Sequence, residues 1–269
     1  MKKIVNGLNI TYRYVKGKTD VVTILLHGWG GNLNSFRFLE NDLISKNYSI
    51  LTVDFPGFGG SDLPNENFEL EDYYKIVLEL LRQENISKIN IVAHSFGGRV
   101  AILLASKNPE LINKLVFVDV AGIKPKFSLS KFFKVRKYKI LKWLNQKGIT
   151  KKDLSKYGSD DYKAMPEKLK PVFSRIVNQD LSDESKQIKA PTILIWGKND
   201  ESTPLYMAKK LKKNIRDSEI ILFDGGHFAY LQNANKFLLI VNSFLKENID
   251  ANIWFQQSRF IFFDCIEFV

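Results

Sequence analysis

The feature that most restricts the fold is a set of short, unbroken apolar runs, each ending in small or polar residues. Val21 to Leu26 runs into His27-Gly28, and Ser49 to Asp54 runs into Pro56-Gly57. Ile89 to Ala93, Leu115 to Val118, Thr192 to Trp196 and Glu219 to Phe223 are of the same kind. Strands without polar alternation have no face to give to water, so these runs suit a mostly parallel sheet covered on both faces. Ile4 to Tyr14 adds two short strands around Asn6-Gly7, a dipeptide suited to a tight hairpin turn. Asn34 to Lys46, Leu70 to Gln83, Phe96 to Ser106, Leu205 to Lys213 and Ala234 to Asn248 carry helical patterns between the runs. The alternation predicts an α/β fold with helices on both faces and ligands at the carboxyl ends of the strands.

Two stretches break it. Residues 123–188 hold no convincing strand and are too long for a bare loop, so they are expected to form an inserted helical lid. That insertion divides a core made of residues 1–122 and 189–249. The tail, residues 250–269, contains Trp254-Phe255 and Phe260-Ile261-Phe262-Phe263 but no lysine. Packing on the body, an edge or intersubunit contact, disorder and a non-native end all remain open for it.

Charge is concentrated in the insertion. The chain has 40 Lys+Arg against 29 Asp+Glu, and 16 of those bases but only 4 acids fall between Ile123 and Arg175. The rest of the chain is close to neutral, so the surplus belongs to one place on the surface. Net charge is the only hint of nucleic-acid binding, and no recognition motif accompanies it. Phe127, Leu129, Phe132, Phe133, Tyr138, Ile140, Leu141, Trp143 and Leu144 are interleaved with the lysines. This is the pattern of an amphipathic cap, apolar toward a pocket and basic outside, with Phe132, Phe133 and Trp143 expected to touch substrate. A carboxylate, a phosphate, an acidic carrier protein or an anionic membrane suits such a rim, and a plain solvated surface is the bland alternative. No apolar run approaches the ~18 residues of a membrane span. The basic Met1-Lys2-Lys3 leads into Asn6, Gly7 and Asn9 rather than an apolar signal region. Cys265 is the single cysteine, which excludes an internal disulfide and makes the cytoplasm the expected compartment.

The candidate chemistry gathers at strand ends. Ser95 follows the Ile89 run, Asp200 follows the Thr192 run, and His227 follows the Glu219 run. A serine hydroxyl is a weak nucleophile and needs a base with a third group to orient it. Ser95, His227 and Asp200 offer those roles. Ala93, Gly97 and Gly98 around the serine are small, as a tight strand-to-helix turn requires. Backbone N–H groups of Phe96, after the serine, and of Trp29, in the turn after the Val21 strand, would hold the developing oxyanion. Trp29 is also expected to line the pocket. His94 is expected to point away from the base, His27 to brace its turn, and Asp54 and Asp224 to serve turn structure.

These motifs resemble the α/β-hydrolase superfamily. His27-Gly28-Trp29-Gly30 is similar to its oxyanion turn, and Asp54-Phe55-Pro56-Gly57-Phe58-Gly59-Gly60-Ser61 to its D-x-P-G-x-G-x-S loop. Ala93-His94-Ser95-Phe96-Gly97-Gly98 is similar to its nucleophile turn, and Trp196 to Asp200 and Gly226-His227 to its acid and base motifs. The likeness runs in order from Ile4 to about Asn248. Ala93 stands where glycine is commoner, and Leu231-Gln232-Asn233-Ala234 replaces a usual Glu and Pro. The resemblance implies an α/β-hydrolase fold with a helical lid, no metal or organic cofactor, and a serine esterase. The H-G-W-G turn is shared with small lidded carboxylesterases of the pimeloyl-acyl-carrier-protein methyl ester esterase type. Carbon–carbon hydrolysis of acidic ring-cleavage products is the main alternative, and a low-turnover binding protein is the alternative of another class.

Overall fold

A computed structural model of the 269-residue chain describes residues 1–125, 129–151, 165–246, 254–255 and 267–268. For 129–135, 139, 267 and 268 it describes the backbone alone. The strands are β1 (Lys2–Val5), β2 (Leu8–Val15), β3 (Val22–Leu26), β4 (Ser49–Val53), β5 (Ile89–His94), β6 (Ile112–Val118), β7 (Thr192–Gly197), β8 (Ser218–Phe223) and β9 (Glu267–Phe268). They form one sheet in the order β1-β2-β4-β3-β5-β6-β7-β8-β9. Pairing is parallel from β4 through β8 and antiparallel at β1–β2, β2–β4 and β8–β9.

The unbroken apolar runs are buried on both faces, as their composition requires. Ile91, Leu115, Leu194 and Ile220 point into one core, and Val92, Val116, Ile195 and Ile221 into the other. The first core is closed by α2 (Leu70–Gln83), α3 (Phe96–Lys107) and, later in the chain, Tyr206–Asn214. The second is closed by α1 (Arg37–Ser45) and the long helix Ala234–Leu245. α2 starts at a capping box, in which Asp72 accepts the Glu69 N–H at 2.8 Å and the Glu69 side chain answers.

Three boundaries differ from the sequence expectation. α1 begins at Arg37 rather than Asn34, because Asn32, Asn34 and Ser35 close turns of their own, with Ser35 Oγ accepting the Asn32 N–H. β6 begins at Ile112, ahead of the expected Leu115. Its charged Lys114 is buried because the ammonium donates to Phe244 O at 2.8 Å and Lys246 O at 3.1 Å, the loose carbonyls of a helix end. The last helix begins at Ala234 as expected but ends at Leu245, ahead of Asn248, and a short helix that the pattern did not give, Ala229–Gln232, precedes it.

Between β6 and β7 lie α4 (Leu129–Gln146), α5 (Leu169–Val177) and α6 (Ser182–Ser185); no strand occurs there among the described residues. The helices after β7 are α7 (Tyr206–Asn214), α8 (Ala229–Gln232) and α9 (Ala234–Leu245). The described tail residues pack on the body. Trp254 is 4% exposed, packs edge-on against Phe244 and donates its Nε1–H to Ser243 Oγ at 2.9 Å, and β9 adds an edge strand. Among the described residues no helix is long and apolar enough to cross a membrane.

Candidate active site

β5 ends at His94 and α3 begins at Phe96, so Ser95 alone makes the turn between them. Its backbone has φ 49° and ψ −113°, a region that costs a non-glycine residue about 1–3 kcal/mol. Three hydrogen bonds hold it there: Ser95 N–H donates to Val118 O at 3.2 Å, and Ser95 O accepts from Gly98 N at 3.0 Å and Ala121 N at 2.9 Å. The small neighbours are a matter of space. A Cβ on Gly97 would lie 2.3 Å from Leu26 O, and one on Gly98 would lie 2.2 Å from the Val120 Cβ. Ala93, where the resembling family more often has glycine, is fully buried.

The turn aims Ser95 Oγ at His227, whose Nε2 is 2.9 Å away. His227 Nδ1 is 2.8 Å from Asp200 Oδ2. A carboxylate only accepts, so Nδ1 carries the proton and Nε2 is left to accept the serine hydroxyl. Asp200 is itself fixed. Its Oδ1 accepts Ser202 N–H at 2.7 Å and Thr203 N–H at 3.0 Å, and its Oδ2 accepts the Thr203 hydroxyl at 2.6 Å. Burial acts to raise its pKa, but hydrogen bonds from His227 and Thr203 hold it below the ordinary carboxylate value. The three residues come from three loops at the carboxyl edge of the sheet, 132 and 27 residues apart along the chain.

The His27–Gly31 turn lies against the same serine. A Cβ on Gly28 would sit 3.2 Å from the Ser95 Cβ. The N–H of Phe96, first in α3, has no acceptor inside its own helix, and Trp29 follows Gly28 in the adjoining turn. His27 braces this turn: its Nδ1–H donates to Gly28 O at 2.7 Å and its Nε2 accepts Phe55 N–H at 3.1 Å. That pairing needs a neutral ring, and burial pushes His27 down to about 4. Asp54 accepts Leu33 N–H at 2.6 Å and Gly60 N–H at 2.8 Å, tying two loops together. Asp224 is exposed and pairs with Lys198 at 2.8 Å, away from the His227 ring nitrogens.

The geometry meets its likeness in known proteins. Residues 22–147 match a family model described as alpha/beta hydrolase fold. The chain is 27% identical over 259 residues to the 2-hydroxy-6-oxononadienedioate/2-hydroxy-6-oxononatrienedioate hydrolase of Escherichia coli K12, covering 85% of this chain and 88% of that one. Among solved structures it resembles an esterase from Exiguobacterium antarcticum, with TM-score 0.72 and 22% identity over 90% of this chain and 98% of that one. It also resembles the enol-lactonase of Burkholderia xenovorans LB400, with TM-score 0.71 and 21% identity over 92% of this chain and 100% of that one. The chain has the α/β-hydrolase fold. The methyl ester esterase subgroup suggested by the H-G-W-G turn is a finer matter and does not follow from these likenesses.

Within this hydrolase fold, His94 departs from expectation. It does not turn away from the base. Its Nε2–H donates to His227 O at 2.9 Å, and the two rings lie 4.7 Å apart. Burial, aided by the His227 ring, pushes its pKa down to about 3, so it stays a neutral donor. Thr203 and Asp119 were also missed. Thr203 bonds Asp200, and Asp119 follows β6 with its carboxyl buried beside Asp200. The available signal for Asp119 was its position, directly after an apolar run like the other candidates.

The aromatic wall is built from more residues than expected. The Trp29 ring packs edge-on against Phe58 at 4.9 Å, Phe96 at 5.1 Å and Phe173 of α5 at 4.9 Å. Phe173 was not singled out, because its neighbours read as one more basic helix. Phe132 and Phe133 lie on α4, and their side chains, like Phe127, fall outside the described residues. Trp143 is more than half exposed, near a surface groove of about 370 Å³ lined by Arg136, Lys137, Ile140 and Leu141. Buried Arg99 of α3 ties the serine's helix to the end of α5, donating to Gln179 O at 2.8 Å and Val177 O at 3.0 Å. Among the described residues no group of His, Cys, Asp and Glu is arranged to hold a metal ion.

Proposed function

We propose that the chain is a serine hydrolase of carboxylic esters acting through an acyl-enzyme. The observation that carries this reading is the unbroken chain of contacts from Ser95 Oγ to His227 at 2.9 Å and from His227 to Asp200 at 2.8 Å. His227 Nε2 takes the Ser95 proton as Oγ attacks the acyl carbon, and returns it to the leaving alcohol. Asp200 holds the base in the required tautomer and balances the imidazolium that forms. The N–H groups of Phe96 and Trp29 stabilise the oxyanion, each worth about 3–4 kcal/mol. Water then repeats the cycle on the acyl-enzyme. Residues 123–188 act as a lid, with Trp29 lining the acyl pocket and Phe132, Phe133 and Trp143 contacting substrate. The chemistry asks for no cofactor, since base, acid and oxyanion donors all come from this chain.

A second reading rests on a particular observation. The Escherichia coli relative is named as a hydrolase of a 2-hydroxy-6-oxo dienedioate, a diacid, and the second reading is carbon–carbon hydrolysis of such a substrate by this chain. The basic surplus between Ile123 and Arg175 would suit an anionic substrate of that kind. An acidic carrier protein would suit it too, and salt-sensitive KM for a carrier-linked ester would reveal one.

The deciding experiment is hydrolysis of p-nitrophenyl esters from acetate to long acyl chains, by wild type and Ser95→Ala. Turnover abolished by the substitution supports the esterase reading. A folded wild type that ignores every ester but cleaves a ring-cleavage diacid supports the second reading. No turnover of either refutes both.

A further inference from the structure

Asp119 stands at the carboxyl edge of the sheet, and the proposed reaction does not use it. It follows β6 directly with φ 45°, and it is 1% exposed. Its Oδ1 accepts Gly197 N–H at 2.8 Å. Its Oδ2 is buried and has no hydrogen-bond partner among the described residues. The Asp200 carboxyl is close enough to raise the Asp119 pKa both by its charge and as a side-chain partner. Two ionised carboxylates facing each other in a buried site repel strongly. Thr203 joins the two residues: its hydroxyl donates to Asp200 Oδ2 at 2.6 Å, and the Asp119 carbonyl lies 3.0 Å from the same Oγ.

We propose that Asp119 is a positioning residue: a neutral carboxylic acid whose Oδ2–H donates to the Asp200 carboxylate and fixes it against His227. This rests on the reading of Ser95, His227 and Asp200 as a catalytic triad. One added proton satisfies Oδ2 and replaces repulsion by a charge-assisted hydrogen bond, while the Thr203 hydroxyl stays on Asp200. Asp200 and Thr203 face it from the loop after β7, Gly197 N–H from β7 itself, and Tyr230 from α8, whose phenol is raised by burial first and by an ionised Asp119 second. His227 acts on it through Asp200. Burial, opposed by the Gly197 N–H and reinforced by Asp200, pushes the Asp119 carboxyl up to about 9, so the proton is held at neutral pH. Above that pH a second negative charge would face Asp200 and the contact would break.

The test measures Ser95 activation by its rate of labelling with diisopropyl fluorophosphate, from about pH 6 to about pH 10, where a carboxyl raised this far titrates. Wild type, Asp119→Asn and Asp119→Ala are compared, each also unfolded in urea. Wild type should lose labelling rate on the alkaline side with a midpoint near the value of about 9. Asparagine offers an N–H to Asp200 and an oxygen to Gly197, so it should stay within about threefold at neutral pH and lose the alkaline decline. Alanine offers neither and should slow labelling by about 10–100-fold. A folded alanine variant within about twofold of wild type overturns the proposal. So does an asparagine variant as slow as alanine, or one that keeps the alkaline decline.

The urea arm reads the proton without the triad. The folded state binds a proton that the unfolded state has released, so wild type should lose stability relative to Asp119→Asn as pH rises from about 4 to about 9. A difference that does not change with pH overturns the neutral acid. Folded wild type that is never labelled refutes the triad reading and, with it, the positioning role, whatever the urea slope shows.

Discussion

Replacing Gly97 by alanine places a methyl group where the chain leaves no room for one. Its Cβ would lie 2.3 Å from Leu26 O, 2.7 Å from Leu26 C and 2.8 Å from His27 O. All three are backbone atoms at the end of β3, which is held between β4 and β5 in the middle of the sheet. The strand cannot yield, so α3 must move. Reaching an ordinary contact beyond 3.4 Å needs a shift of about 1 Å. Ser95 moves with α3, because its carbonyl is bonded to Gly98 N at 3.0 Å. An Oγ that begins 2.9 Å from His227 Nε2 then leaves hydrogen-bond range. Misplacement of that size costs about 100-fold in rate, and overpacking costs about 1–3 kcal/mol of stability. The assay is kcat on the best p-nitrophenyl ester, with urea unfolding alongside. Gly148→Ala is the control: its φ is +71° with nothing within 4 Å, so it should lose about 1 kcal/mol and no rate. A folded Gly97→Ala enzyme within about threefold of wild-type kcat would refute the claim that this close approach sets the serine.

Asp200→Asn should lower kcat by about 10⁴-fold with little change in KM, since an amide no longer enforces the Nδ1–H tautomer; a loss under tenfold in steady-state assays would count against Asp200 as the orienting acid. His94 binds fewer protons folded than unfolded, so its contribution is present above the unfolded value of 6.5 and drains as pH falls toward its folded value of about 3. His94→Phe should therefore gain on wild type by about 1.4 kcal/mol per pH unit between about 6 and 4, and parallel urea midpoints over that range would contradict it. Arg99→Met keeps the stem but loses the bonds to Val177 O and Gln179 O, so it should cost about 2–3 kcal/mol in urea unfolding, and a loss below about 0.5 kcal/mol would rule out a structural tie between α3 and α5.

Much of this architecture follows from local chemistry. The unbroken runs at Ile89 and Thr192 have no polar face, so they had to be buried strands, and both cores in the structure alternate along them. Asn6-Gly7 had to turn, and its φ values of 46° and 82° are those of a tight hairpin. The small residues around Ser95 announced a close approach before its partner atoms were known. Lys114 shows the limit of such reasoning. A lysine argues against a buried strand until the carbonyls that receive it, more than a hundred residues away, are in place.

The same limit divides the site. Ser95, Asp200 and His227 are legible because each sits in a short motif at a strand end, and local spacing carries motifs. Tertiary structure alone decided that His94 holds the His227 carbonyl, that Phe173 closes on Trp29, and that Asp119 lies beside Asp200 with an oxygen unpaired. None of these contacts has a local signature. A buried acid or an imidazole takes its protonation state from groups that other strands bring within reach, and only the assembled sheet fixes which groups those are.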